Sequence, residues 1–199
     1  PGKIVEEKDK EGNIIPYSAQ HIIIATGAKS RDFSNFKQDG KSIIGYREAL
    51  TLPKQPQSMV VIGSGAIGTE LAYFYHTIGT QVTLIELLPN IVPLEDDELS
   101  KQLQRSFIKE KMKVLTSTTV EKVEVENNIC KVYIDNGKTK EIIEAEIVLS
   151  AVGVTTNIEG IGLEGTGIKT EKGKILVDEY YKTNIEGYYA IGDIVHGPA

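Results

Sequence analysis

Cysteine, histidine and tryptophan are scarce: the 199 residues hold one cysteine, three histidines and no tryptophan. A lone Cys130 excludes an internal disulfide and any cysteine-rich metal site. His21, His76 and His196 share no metal-ligand spacing of the His-x3-5-His kind, so no bound metal is expected. No apolar run approaches the roughly 20 residues of a membrane span, and Pro1 to Val5 lack the charged-then-apolar layout of a secretory leader. One-sided charge is missing too. Lys+Arg 22 against Asp+Glu 28 gives a net charge of -6, with both signs mixed along the chain, which argues against nucleic acid or an anionic membrane as partner. The expectation is a soluble cytoplasmic protein whose 40% hydrophobic content builds one domain and part of a second.

Natural-looking ends are also lacking. The chain opens in a strand-like run, Lys3 to Glu7, and stops at Gly197-Pro198-Ala199, directly after a glycine-aspartate turn where an α/β protein starts another helix. It reads as an internal piece of a longer protein. Ile4-Val5, a turn over 10–13 and Ile14 to Tyr17 spell a β-hairpin. His21 to Ala25 is a short apolar run ahead of Thr26-Gly27, which predicts a central parallel strand covered on both faces. Residues 31–57 are polar, contain Pro53 and Pro56, and read as a crossover linker.

The next stretch has the clearest pattern. Ser58 to Ile62 predicts a strand, Gly63 to Gly65 a tight turn, and Ala66 to Ile78 a helix with Ile67, Leu71, Phe74 and Ile78 at helical spacing, closed by Gly79. Gln81 to Glu86 then predicts a second strand, completing a βαβ unit. Glu95 to Lys111 reads as another helix, with acids in its first turn and Leu99, Leu103 and Phe107 on one face; His76 is expected to face solvent, opposite Ile67. Lys113 to Leu115 returns as a third strand. Val123 to Val125, Cys130 to Ile134 and Ile142 to Leu149 alternate around an Asn136-Gly137 turn, as an antiparallel meander covering an edge or face of the parallel sheet. Cys130 is then a small core residue. A strand over 174–177 completes the tail.

Gly63-Ser64-Gly65-Ala66-Ile67-Gly68 is a G-x-G-x-x-G run that follows a strand and opens a helix. Gly63 permits the sharp turn, Gly65 lets a pyrophosphate approach the backbone, and Gly68 lets the helix pack closely. The N–H groups at the helix start, through Ala66 and Ile67, face that diphosphate. Glu86 ends the second strand, where its carboxylate accepts hydrogen bonds from both adenosine-ribose hydroxyls and repels a 2'-phosphate. Leu87-Leu88-Pro89 supplies no arginine for such a phosphate, so NAD is expected over NADP.

Ile22 to Gly27 and Tyr189 to Asp193 flank this fingerprint. Together they make the whole chain resemble the pyridine nucleotide-disulfide oxidoreductase family, flavoproteins with an NAD(P) domain inserted into a split FAD domain. Val60 to Gly68, Val82 to Glu86, Leu149 to Gly153 and Ala190 to Pro198 look most like the members that oxidise dihydrolipoamide. The resemblance implies an α/β fold in which a Rossmann-like NAD-binding domain, residues 51–154, is inserted between FAD-domain pieces at 1–50 and 155–199. It implies that Asp193 binds the FAD ribityl chain next to Gly192, that Thr26 and Gly27 lie by the flavin crevice, and that Gly153 gives close backbone approach to NAD. Glu70 would sit near nicotinamide and flavin, paired with a lysine outside this chain.

There are departures. Ala66 stands where many members carry a larger gating residue, and of Val154-Thr155-Thr156-Asn157 only Asn157 keeps the family pattern. No Cys-x4-Cys pair, no FAD adenine fingerprint and no C-terminal domain with its catalytic histidine and glutamate occur in these residues. The implied intact enzyme is a homodimer taking electrons from dihydrolipoamide on 2-oxo acid dehydrogenase complexes, through a disulfide and FAD, to NAD. This piece alone is expected to turn nothing over and to retain no flavin. A mercuric reductase, an NADH oxidase, a glutathione reductase-like enzyme and a stand-alone NAD-binding module remain the alternatives.

Overall fold

Residues 3–197 are described by the structure, a computed structural model. Of the readings above, those on Pro1 and Gly2 at the N-terminus and on Pro198 in the Ala190 to Pro198 segment lie outside the described residues. The chain forms two compact units: Ser30–Gly153 is one, and the stretches up to Lys29 and from Val154 make the other.

The two-piece unit begins with strands β1 (Lys3–Lys8) and β2 (Ile14–Ala19), paired antiparallel with Val5 opposite Tyr17. Asp9 shapes the connecting turn, its Oδ1 accepting from the N–H of Glu11 at 2.9 Å and of Asn13 at 2.8 Å. β3 (Ile22–Ile24) and β4 (Ala28–Ser30) follow.

The contiguous unit then contains β5 (Ile43–Ile44), α1 (Tyr46–Ala49), β6 (Ser58–Ile62), α2 (Ala66–Thr77), β7 (Gln81–Ile85), α3 (Asp97–Lys109) and β8 (Lys113–Leu115). It continues with β9 (Thr119–Glu126), β10 (Ile129–Asp135), β11 (Lys140–Ala145) and β12 (Ile147–Ser150). Five strands form one parallel sheet in the order β5-β12-β6-β7-β8. The chain after it adds β13 (Val154–Thr156) beside β4, the ribbon β14 (Thr170–Glu171) and β15 (Lys174–Ile175), and β16 (Tyr188–Ala190) parallel to β3.

The two faces of the parallel sheet are covered differently, and the alternation of its strands accounts for this. Met59, Val61, Val82, Leu84 and Leu149 pack against Ala72, Tyr75, Phe107 and Met112 from the helical side. Val60, Ile62, Ile85 and Val148 pack against Val120, Cys130, Val132, Ile134 and Ala145 of the β9–β11 meander. Cys130 is fully buried there, and burial pushes its thiol up to about 11, so it stays protonated and unreactive at neutral pH. Ser150 lies in the same register as Val148, buried, and its Oγ has no hydrogen-bond partner among the described residues. Ser150→Ala removes that orphan and is expected to stabilise the protein by about 1 kcal/mol. Chemical denaturation showing a lower midpoint would contradict it.

Several expectations are corrected. Of the α2 residues read at helical spacing only Leu71 packs on the core; Phe74 is 52% exposed, Ile67 and Ile78 are exposed as well, and the buried positions are Gly68, Thr69, Ala72 and Tyr75. Close approach to the turn requires a glycine at Gly68, and the larger Tyr75 is buried two turns further along. His76 is half-buried rather than solvent-facing, with Nε2 2.9 Å from the carbonyl of Glu110 at the end of α3. α3 is shorter than read, starting after Glu95 with Asp96 as its cap, and Leu99 is exposed. The segment 31–57 is no mere linker, since it supplies Phe36, Ile43 and Ile44 to the core. The sequence boundary at residue 50 therefore falls inside the contiguous unit. Ile142 to Leu149 is two strands, and between them Glu146 hands the chain from meander to parallel sheet, its Oε2 accepting from the N–H of Gln57 at 2.7 Å. β3 does pair in parallel, but Ile23 is 64% exposed, so only one face is covered. In the tail, the strand read over 174–177 is only the two residues of β15.

Candidate functional site

The carboxyl end of β6 turns into α2 through three glycines with three different environments. Gly63 has φ +94, and a Cβ there would lie 2.6 Å from the carbonyl oxygen of Ala151. Gly68 is closed even more tightly, with an added Cβ only 2.0 Å from the Gly63 carbonyl oxygen. Gly65 has φ -64, and a Cβ would meet nothing within 4 Å. Gly63 and Gly68 are thus required by the protein's own atoms, while Gly65 opens on free space.

Gly65 is also the N-cap of α2, so no side chain satisfies the first-turn N–H groups, and that turn, Ala66-Ile67-Gly68, contains no acid. α3 makes the contrast. There Asp96 accepts from Glu98 N at 2.8 Å and Leu99 N at 3.3 Å, with Asp97 and Glu98 behind it. The end of α3 is internally satisfied, and the end of α2 is left electropositive and open.

Glu86 follows β7 beside this turn. It is only 8% exposed, and its carboxylate is anchored on two sides. Oε2 accepts from Ser64 N at 2.9 Å and Ser64 Oγ at 2.6 Å, and Oε1 accepts from Leu88 N at 2.9 Å. The backbone of Glu86 is fixed as well, donating to Leu115 O at 2.8 Å and accepting from Thr118 N at 3.0 Å. The sequence reading placed Glu86 correctly at the strand end but passed over Ser64. A variable position in a fingerprint carries no signal of its own; the signal was a hydroxyl residue next to Gly63 with an acid ending the neighbouring strand.

The remaining candidates divide. Gly153 has φ +102 with nothing within 4 Å of an added Cβ, and its carbonyl accepts from Arg31 N at 3.0 Å. Glu70 is exposed on α2, where it lines a groove of about 390 Å³ with Leu50, Leu71 and Phe74. In the two-piece unit, Thr26 is committed to holding the chain: its Oγ1 donates to Asn157 O at 2.6 Å, while Asn157 returns bonds to Thr26 O at 3.0 Å and Gly27 O at 2.9 Å. Asn157 is therefore a clamp on the Thr26-Gly27 turn. Gly192 has φ +77 and open space at its Cβ position, and Asp193 stands exposed in the turn Gly192–Ile194 with no hydrogen bond to another described residue. Among the described residues, no group of histidine, cysteine and acidic side chains is placed to hold a metal, and no helix is long and apolar enough to cross a membrane.

The sheet and its flanking helices make this an α/β protein built on a parallel sheet, and the chain belongs to the pyridine nucleotide-disulphide oxidoreductase family, whose profile matches residues 1–199. Within it, the chain resembles dihydrolipoyl dehydrogenases. It is 41% identical to the dihydrolipoyl dehydrogenase of Rhizobium etli over 100% of this chain and 44% of that protein. It is 42% identical to that of Chlorobaculum parvum over 98% of this chain and 42% of the relative. The chain thus spans less than half the length of these relatives. Among solved structures, LpdA of Mycobacterium tuberculosis superposes with a TM-score of 0.85 at 27% identity, over 96% of this chain and 41% of that one. The Escherichia coli flavoprotein disulfide reductase RclA shares the fold, with a TM-score of 0.88 at 20% identity over 98% of this chain and 44% of the other.

Proposed function

We propose that the unit Ser30–Gly153 binds NAD(H) at the carboxyl edge of its parallel sheet, as the nicotinamide-nucleotide part of a dihydrolipoyl dehydrogenase. The observation that carries this reading is the environment of Gly65: of the three fingerprint glycines, it alone has free space over its α-carbon, and it starts a helix whose first-turn N–H groups no side chain caps. A diphosphate fits there on three counts. The backbone can be approached without hindrance, the N–H groups of Ala66 and Ile67 are available, and the helix dipole favours an anion by about 0.3 to 1 kcal/mol. Glu86 ends the adjacent strand as the acceptor for the adenosine ribose, and its negative charge disfavours a 2'-phosphate. Gly153 allows close backbone approach across the sheet edge.

Bound NAD supplies a hydride-accepting nicotinamide ring. This chain's residues position the dinucleotide and select it against NADP. The two-piece unit is read as part of the flavin domain, with the uncommitted Asp193 carboxylate and the open Gly192 as its FAD contacts and the clamped Thr26-Gly27 turn as a structural wall. In the full-length protein the electrons come from dihydrolipoamide borne on 2-oxo acid dehydrogenase complexes, the protein acts as a homodimer, and Glu70 serves the nicotinamide end. The substrate is proposed from the relatives' names, and the homodimer, the complexes and the role of Glu70 from the family resemblance; the single cysteine leaves no disulfide pair in these 199 residues.

Glu86→Ala is expected to weaken NADH binding by about 1.5 to 3 kcal/mol, the range for hydrogen bonds to a charged group, with a much smaller effect on NADPH. Isothermal calorimetry with both nucleotides checks it. Equal loss for the two nucleotides, or none for NADH, removes Glu86 from the ribose site.

A further inference from the structure

Ser64 has no role in the glycine logic of the turn, yet it is completely buried and bonded through every polar atom it owns. Its N–H and its hydroxyl both donate to Glu86 Oε2, at 2.9 and 2.6 Å. Its carbonyl accepts from Thr69 Oγ1 at 2.8 Å and from Val92 N at 2.9 Å. One residue therefore ties the fingerprint turn to the end of β7, to the second turn of α2 and to the loop that leads into α3. The bond from its Oγ to Glu86 is short, as expected when the acceptor is a carboxylate.

The donor inventory at Glu86 gives this consequence. An ionised carboxylate has about four acceptor positions. Ser64 fills two on Oε2 and Leu88 fills one on Oε1. With Oε2 saturated from the protein side, the carboxylate is pinned in plane, and what remains for a ligand is on Oε1. We propose that Ser64 is the positioning residue of the ribose site: its hydroxyl locks Glu86 so that a single acceptor faces the nucleotide and the negative charge stays fixed where a 2'-phosphate would lie. This rests on the NAD reading above and sharpens it, because Glu86 then receives one ribose hydroxyl instead of two. Discrimination between NAD and NADP becomes a property of the Ser64–Glu86 pair. Without the hydroxyl, Glu86 keeps its two backbone donors but gains freedom to turn away from an incoming phosphate.

The test is a double-mutant cycle read by nucleotide affinity on this chain, using Ser64→Ala, Glu86→Gln and the double variant with NADH and NADPH as separate probes. Ser64→Ala is expected to raise the NADH dissociation constant about fivefold, the size of one ordinary hydrogen bond, while leaving NADPH unchanged or slightly tighter, so that the preference for NADH falls. In the Glu86→Gln background the same serine change should leave the NADH-to-NADPH ratio where it was. A merely structural role for Ser64 would weaken both nucleotides alike or lower only the denaturation midpoint. Either result overturns the proposal, as does tighter NADH binding by Ser64→Ala or an additive double variant. If Ser64→Ala does not fold, Ser64→Cys asks the same question with a side chain of the same shape whose S–H is only a weak donor. A parent chain that binds neither nucleotide, or prefers NADPH, instead overturns the NAD reading itself, and the two failures are told apart by that first titration.

Discussion

Gly68→Val is expected to destabilise the contiguous unit by about 3 kcal/mol or more, at the upper end of overpacking costs. A Cβ at this position would lie 2.0 Å from the carbonyl oxygen of Gly63 and 3.1 Å from the Cβ of Ala151, so the clash is largely with backbone and cannot be relieved by a rotamer change. The carbonyl cannot simply retreat, since Gly63 is held in a left-handed conformation and its N–H donates to Ile85 O at 2.9 Å. Relief requires α2 to lift off the sheet, and that exposes the contacts of Ala72 and Tyr75 with Met59, Val61 and Leu84. Urea unfolding followed by circular dichroism measures the loss, and a midpoint like that of the parent chain would show that the helix does not need this close approach.

The same valine three residues earlier is expected to do the reverse. Gly65→Val places its side chain where nothing lies within 4 Å, on a backbone with φ -64 that an L-residue adopts without strain. Stability should fall by no more than about 1 kcal/mol, the cost of a poorer N-cap. The new isopropyl group stands where the proposed site brings a diphosphate to the helix start, so NADH affinity should drop on the order of 100-fold, roughly 2.7 kcal/mol. The pair of variants separates the glycine the fold requires from the one the ligand requires. Retained NADH binding by Gly65→Val would remove the diphosphate from this turn, and unfolding of that variant would show that the space is not free.

Much of this was legible from the residues alone, and the misses have physical causes. β6, the turn, α2 and β7 follow from an apolar run, three glycines at fixed offsets and a second run ending in Glu86. β1–β2 and the meander follow from alternation around turns. The orientation of α2 could not be read from its apolar stripe. Close approach to the turn requires a glycine at Gly68, and Gly68, Ala72 and Tyr75 take the inner face while Phe74 and Ile78 are left outside. β5 escaped detection because two residues, Ile43 and Ile44, carry no periodicity. The handover at Glu146 was invisible because no glycine, proline or other turn residue separates the two strands: β11 ends at Ala145 and β12 begins at Ile147. Ser64 was missed for another reason: its partner is 22 positions away, and only the fold brings the two together.

The arrangement of the chain into one contiguous and one two-piece unit bears on the order in which the molecule assembles. Pairing β3 with β16 joins residues separated by most of the sequence, a slow closure for an open chain. Residues 30–153 can gather without waiting for either terminus, and when they do, the bond from Arg31 N to Gly153 O sits at the base of the folded unit. The loop left to close is then about fourfold shorter, which lowers its entropic cost by about 1 kcal/mol. The contiguous unit, once folded, thus shortens the loop that the two-piece unit has to close.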